Sequence, residues 1–516
     1  MGRLLFSRLS AFVSLSFTAT AIYASTPLPF PAGLVPFSSI TSVSGPDTQG
    51  NHLIVGRTTL AAWQQIYNLP IPYYSGQTFS DGVIQLAPGQ FYSNVLVSSF
   101  GEREGNFSDT TNPLIDPDTG LRFPGNIIPL SRLGDVYAFL VGPPVPSSGA
   151  LHFVPLNPCR VADTRNAVGA FGGPYLSANT TRTFAIQSSA CNVPTSALAY
   201  SLNVTVVPHV GLGYLSVWPA GQAQPVVSTL NSDGRVKANA AIVQAGTGGG
   251  ITFFASDDTE LVIDINGYFV DASSNSGLAF YPLTPCRIAD TRLAAGDLGG
   301  PVLATTQTRT FPILESSCNI PSSAQAYSLN MTAIPVSHLG YLSDWPTGQG
   351  EALVSTLNGW PGVVTANASL VPAGTSGSVN VYASNGTDLV IDTNGYFGAP
   401  ATSGSSFYTV TPCRVFDSRL QGQIVTGTLQ VPVASLCNVL PTAKAVVVNA
   451  TVVPQSWLGF LSLWAYGTSQ PAVSTLNSDD GAITSNMAIV PIGGGGINVY
   501  SSNPTNVIID VLGFYF

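Results

Sequence analysis

Leu202, Val204 and Val206 alternate with Ser201, Asn203 and Thr205, which reads as a strand with one apolar and one polar face. Segments 238–243, 251–255 and 261–269 follow the same two-residue rhythm, and glycine-rich turns such as 246–250 separate them. Between residues 152 and 270 this spacing predicts about eight strands and no amphipathic helix, the pattern of a β-sandwich of Greek-key or jelly-roll type.

The pattern is then repeated. Pro158-Cys159-Arg160-Val161-Ala162-Asp163-Thr164-Arg165 recurs from Pro285 to Arg292 and again, with Ser418 for the threonine, from Pro412 to Arg419. The same landmarks follow in each copy: Leu202-Asn203-Val204-Thr205, Gly213-Tyr214-Leu215-Ser216, a tryptophan (Trp218, Trp345, Trp464), Ser-Thr-Leu-Asn ending at Asn231, Asn358 and Asn477, and a closing Ile-Asp with an aromatic end. The fold class is therefore all-β, with three tandem sandwich modules at 152–270, 280–398 and 407–516. The joints at 271–279 and 398–406 are short, polar and rich in Gly and Ser, and so read as flexible tethers.

The region before the repeats is mixed and loop-rich. Residues 1–24 read as a signal peptide: Arg3 and Arg8 precede an apolar stretch, and Ala19-Thr20-Ala21 and Ala24 offer cleavage sites. An uncleaved anchor is the alternative. Residues 26–146 lack the repeat motifs. There, 58–67 has the pattern of a short helix, 84–100 of strands, and 112–120 of a turn-rich loop; 143–149 is a Pro-rich link to the first module. No later run is long and apolar enough for a membrane helix.

Only 8% of the 516 residues are charged, the net charge is −9, and 45% are hydrophobic. Disorder is excluded by the hydrophobicity, and nucleic acid or an anionic membrane surface by the missing basic patch. The six cysteines fall two to a copy. Pairing Cys159 with Cys191, Cys286 with Cys318 and Cys413 with Cys437 treats the copies alike. Each bridge is worth about 3–4 kcal/mol by loop entropy. The third copy has no histidine to complete a zinc site, and no Cys-x-x-Cys redox motif occurs.

So sparse a charge set makes the repeated ions informative. Arg160, Asp163, Arg165 and Asp264 recur as Arg287, Asp290, Arg292 and Asp392, then as Arg414, Asp417, Arg419 and Asp510. Arginine forks binding these carboxylates would tie the first loop to the last strand. The competing reading is a ligand or calcium site, although calcium prefers more carboxylates than the two that repeat. Paired acids also suggest a glycosidase, but the neighbouring arginines oppose the raised pKa its acid needs. Neither a repeating base for a Ser-His-Asp site nor a phosphate loop is found. Catalytic, metal and cofactor residues are thus expected to be none.

Trp218, Trp345 and Trp464, with Tyr214, Tyr341 and Phe460, read as core aromatics. Their alternative is a sugar platform, with Asn203, Asn231, Asn239, Asn330, Asn358 and Asn367 as its polar groups. Asn203, Asn330 and Asn449 also match the glycosylation sequon.

Taken together, these landmarks over 152–516 resemble a repeat of secreted acidobacterial and actinobacterial proteins, found alone or attached to cell-wall or extracellular enzymes. The resemblance implies export and a β-rich accessory module, and supplies no ligand. Residues 112–132 are similar to a loop motif of acidobacterial TonB-dependent receptors, but no plug or barrel pattern accompanies them, so transport is not inferred. The expectation is a secreted or cell-surface, non-enzymatic structural or adhesive protein whose partner is a polysaccharide or another surface protein. The alternatives are carbohydrate binding through the Trp and Asn positions, and an extracellular enzyme with its site in 26–146.

Overall fold

The computed structural model describes residues 149–516 apart from Asn275, Val336 and Ser435, and before them Arg122, Phe123 and six short strands. The chain divides into two compact units, Met1–Val145 and Pro146–Phe516. In the first, Ser39–Val43, His52–Arg57, Tyr137–Val141 and Val95–Leu96 pair in that order as an antiparallel sheet, and Ile84–Ala87 pairs with Gln90–Tyr92. The sequence-predicted signal peptide, the helix over 58–67 and the loop over 112–120 lie outside the described residues.

The second unit holds the three copies. The first copy has eight strands: β1 (Leu151–Asp163), β2 (Thr180–Ala185), β3 (Ala199–Pro208), β4 (Leu212–Pro219), β5 (Leu230–Ser232), β6 (Lys237–Gln244), β7 (Gly250–Ala255) and β8 (Thr259–Asp271). They form two antiparallel sheets, β6-β3-β8-β1 and β5-β4-β7-β2, which is the winding of a jelly roll. The other copies repeat it. In the second, the fifth strand shrinks to a single bridge between Leu342 and Leu357; in the third, one strand, Gly496–Tyr515, serves both sheets. Among the described residues no helix is long and apolar enough to cross a membrane.

Alternation explains the core of each sandwich. Leu202, Val204 and Val206 on β3 and Leu261, Ile263 and Ile265 on β8 face Leu215 and Val217 on β4 and Ile251 and Phe253 on β7. The cysteine bridge closes within each copy: Cys159–Cys191, Cys286–Cys318 and Cys413–Cys437, with Cα–Cα distances of 5.8, 5.7 and 5.7 Å.

The other face of the β6-β3-β8-β1 sheet carries the principal departure from the sequence reading. A half-buried strand was expected there, with Ser201, Asn203 and Thr205 toward water. Instead both faces of β3 are buried, because this sheet packs against its two counterparts. The three copies form a closed ring. The strands Lys237–Gln244, Thr365–Pro372 and Thr484–Pro491 all touch one another at its centre.

Six aromatic rings encircle this centre, two from each copy. Phe153 stacks on Phe269, Phe280 on Phe397 and Phe407 on Tyr515 within their own copies, at 5.1, 5.1 and 5.2 Å. Between copies, Phe153 meets Phe397, Phe280 meets Tyr515 and Phe407 meets Phe269, at 4.6, 4.5 and 4.7 Å. The glycine before each closing aromatic pair permits this packing. A Cβ on Gly267 would lie 2.3 Å from the Phe153 ring, and Gly395 and Gly513 would meet Phe280 and Phe407 at 2.4 Å.

The joints are part of the ring and not free tethers. Phe153 exchanges both backbone hydrogen bonds with Leu278, and Phe280 does so with Ser405, each pairing one copy with the segment entering the next. Leu151 pairs with Phe407 and closes the circle, so a single residue pair also joins sheets of the first and third copies. Each copy keeps its own core and disulfide, but the expectation of loosely strung domains is corrected to one body.

Candidate functional site

The Pro-Cys-Arg signature lies at the end of β1, where the bridge to Cys191 anchors the strand against the loop that follows β2. Arg160 reaches across to β8 and grips Asp264 with two parallel bonds, Nε to Oδ1 at 2.8 Å and Nη2 to Oδ2 at 3.1 Å. Its Nη1 donates to Asp163 Oδ2 at 3.3 Å, and Arg165 holds the same Asp163 at 2.8 and 2.6 Å. Arg287, Asp290, Arg292 and Asp392 repeat the arrangement, as do Arg414, Asp417, Arg419 and Asp510.

The electrostatics are those of a satisfied network. Hydrogen bonds from Arg165 hold Asp163 below the usual carboxylate range, and Arg292 and Arg419 do the same to Asp290 and Asp417. Burial pushes Asp264, Asp392 and Asp510 up while their arginine forks pull the other way. Burial also works against the charge of Arg160, yet the hydrogen bonds and charge of Asp264 keep its pKa above the ordinary arginine value. Both repeating carboxylates of a copy are thus occupied by guanidinium groups.

Each network reaches beyond its own copy. The backbone N–H of Ser355 lies near Asp264 and favours its charged form, as that of Ser474 does for Asp392 and that of Ser228 for Asp510. Asn203 Nδ2 donates to the Ser355 and Thr356 carbonyls at 2.5 and 3.2 Å; Asn330 donates to Ser474 and Thr475, and Asn449 to Ser228 and Thr229. A second asparagine closes the circuit. Asn367 Nδ2 donates to Asn203 Oδ1 at 2.8 Å, and its own Oδ1 accepts the Ala240 N–H at 2.9 Å. Asn486 does this toward the second copy and Asn239 toward the third. All three of these asparagines are 0% exposed, so an unpaired amide at any of them would be costly.

The tryptophans neither join the core between the sheets nor face solvent. Trp218, Trp345 and Trp464 are 4%, 3% and 2% exposed. Each lies on the outer side of its strand under the loop that follows, and its Nε1 donates to Gln222, Gln349 or Thr468 at 3.0, 3.1 and 2.9 Å. In the first copy that loop, 220–229, ends in Ser228 and Thr229, the residues that dock on the third copy. The ring therefore props up a docking loop. This corrects the sugar-platform reading: none of these three tryptophans has a face free to stack, and Asn203, Asn239, Asn330 and Asn367 are spent between copies. Asn231 and Asn358 Nδ2 donate to the Gly213 and Gly340 carbonyls.

Sequence reasoning paired the repeated ions but did not place Ser228-Thr229, Asn486 or the aromatic ring in an interface. The available signal was the buried-type alanines beside each second asparagine, Ala240-Ala241 and Ala368, on a strand read as half-exposed.

No protein-family model matches the chain, and no curated protein matches it. Among solved structures, a chain from the atomic structure of Sulfolobus turreted icosahedral virus aligns over 70% of this chain and 91% of that one, at 8% identity and a TM-score of 0.16.

Proposed function

We propose that residues 149–516 form the rigid head of an exported, non-enzymatic protein that works by holding three equivalent faces in fixed relative positions. The use made of the repeated charges carries this reading. In every copy the two arginines and two aspartates that resemble a site are consumed in pairing one another, which ties the copy's first strand to its last and leaves them unfit for general acid–base work. Three disulfides fit an oxidising compartment. The signal-like residues 1–24 and the resemblance to secreted accessory modules point the same way. A ring fixes spacing, and fixed spacing favours simultaneous engagement of a repetitive partner such as a polysaccharide or a surface-protein array.

The test is fractionation of producing cells, with and without residues 1–24, combined with thiol labelling and surface proteolysis. The expected result is an external, fully oxidised protein that becomes internal on deletion. A reduced cytosolic protein, or turnover of glycoside or ester substrates by the purified chain, would overturn the reading.

A further inference from the structure

Resting on that reading, we infer that the outer sheet of each copy is a binding face for a neutral polysaccharide, built on an aromatic pair that repeats three times around the ring. In the first copy Tyr214 on β4 and Phe254 on β7 stand side by side, with ring centroids 5.3 Å apart. Tyr341 and Tyr382 repeat the pair at 5.5 Å, and Phe460 and Tyr500 repeat it again at 5.5 Å. The six rings of the central circle are fully buried and the repeated tryptophans nearly so. The rings of this outer pair stay partly open to solvent in all three copies.

Strand register identifies their neighbours. Leu215, Val217, Ile251 and Phe253 point into the core, so Tyr214, Thr252 and Phe254 point outward. On β2, Phe184 points inward, and the exposed Thr181 and Thr183 stand opposite Phe254 and Thr252. In the second copy Thr308 and Thr310 stand opposite Tyr382 and Asn380; in the third, Thr428 and Gln430 stand opposite Tyr500 and Asn498. Each face thus places two aromatic rings beside exposed threonine hydroxyls, joined in the third copy by the Gln430 amide, with no Asp, Glu, Lys or Arg at these positions.

The chemistry selects the occupant. Aromatic rings offer apolar faces to the C–H side of a pyranose, and Thr, Asn and Gln exchange hydrogen bonds with its hydroxyls. Acidic groups border the rings in the first two copies, where Asp257 accepts the N–H of Gly213 beside Tyr214 and Glu351 acts on Tyr341; together with the chain's net charge of −9 they disfavour an anionic polymer. Three copies of one face on a rigid ring suit a polymer that presents the same unit repeatedly.

Affinity electrophoresis of the full chain, in native gels containing starch, laminarin, xyloglucan or galactomannan, with polygalacturonate as the anionic arm, tests this. Retardation by at least one neutral polymer is expected. Tyr214→Ala with Tyr341→Ala and Phe460→Ala should weaken it at least ~10-fold through lost avidity. Each single substitution should weaken it partially, so the outcome does not hang on the triple variant folding. Trp360→Ala, which removes an exposed tryptophan that belongs to none of the three aromatic pairs, should bind like the parent. Retardation by polygalacturonate alone, by no polymer, or to the same extent in all tyrosine and phenylalanine variants would overturn the inference while leaving the exported head in place. Release of reducing sugar from the gel polymer would instead overturn the non-enzymatic reading.

Discussion

The ring makes a demanding prediction about a single copy expressed alone, for example residues 276–399. In the full chain Phe280 and Phe397 are 0% exposed and Leu370 is 1% exposed, in part through packing on other copies. Isolating the copy returns these side chains to water, at about 1.5–3 kcal/mol each, or roughly 5–9 kcal/mol in total as an upper bound. That is comparable to the whole stability of an ordinary domain, about 5–15 kcal/mol. Asn330 and Asp392 lose their partners on the third copy as well. The isolated copy has an escape, however. Its own Ser355-Thr356 has the residue types of Ser474-Thr475, and its own Asn367 those of Asn486. Three identical chains can therefore rebuild the asparagine contacts of the ring, though not the Arg235–Asp480 pair that joins the first and third copies. Light scattering after gel filtration should give a three-chain particle at micromolar concentration, with a melting temperature that rises with protein concentration. Phe280→Ser should abolish that particle. A well-folded monomer whose melting temperature ignores concentration would refute the interface.

Four further outcomes follow from the same geometry. Arg160→Met leaves Asp264 buried without its partner and should cost about 3–5 kcal/mol in urea melts, and Arg160→Lys should fail to restore it because one ammonium cannot make the paired bonds. Asp344, which stands where the other copies have Val217 and Leu463, is 2% exposed and bonded to Thr356 and Ser369, the latter at 2.8 Å. Burial raises its pKa, so its contribution is complete below the unfolded carboxylate value and is lost as pH rises through the folded one. Asp344→Val with Ser369→Ala should therefore stabilise by ~1–3 kcal/mol at neutral pH and less near pH 4; a gain that does not vary with pH in calorimetry contradicts the raised carboxyl. Cys159→Ser with Cys191→Ser should lower stability by about 3–4 kcal/mol in urea melts, as should removal of the shorter 24-residue bridge loop at Cys413. In a glycosylating host, sugars on Asn203, Asn330 and Asn449 would block ring closure. Thr205→Val, Thr332→Val and Thr451→Val, which spare those asparagines, should restore secretion as judged by yield and mobility.

The strands, the three copies and the sandwich class were legible because alternation reports the core between two sheets faithfully. The ion pairs were legible because a chain with so few charges repeats only those it needs. The ring was not, because alternation assigns every polar position to water. Asn203 and Asn239 sit on the polar side of their strands, yet they are buried, since amides can satisfy one another between copies as well as in solvent. The tryptophans misled for a related reason. Trp218 is neither core nor surface, because a loop eleven residues distant in bonding, from Ser216 to Val227, folds back over it. Loop closure of that kind leaves no periodic trace.

One consequence of the sewn circle concerns dilution and error. A circle of three separate molecules comes apart below its dissociation constant, and any change in its gene strikes all three corners together. Here covalent continuity removes the threshold, and a substitution touches one corner only. The lone acid at Asp344 is an instance: such a group inserted three times over would tax the assembly threefold, whereas one corner can carry it while the other two stay apolar.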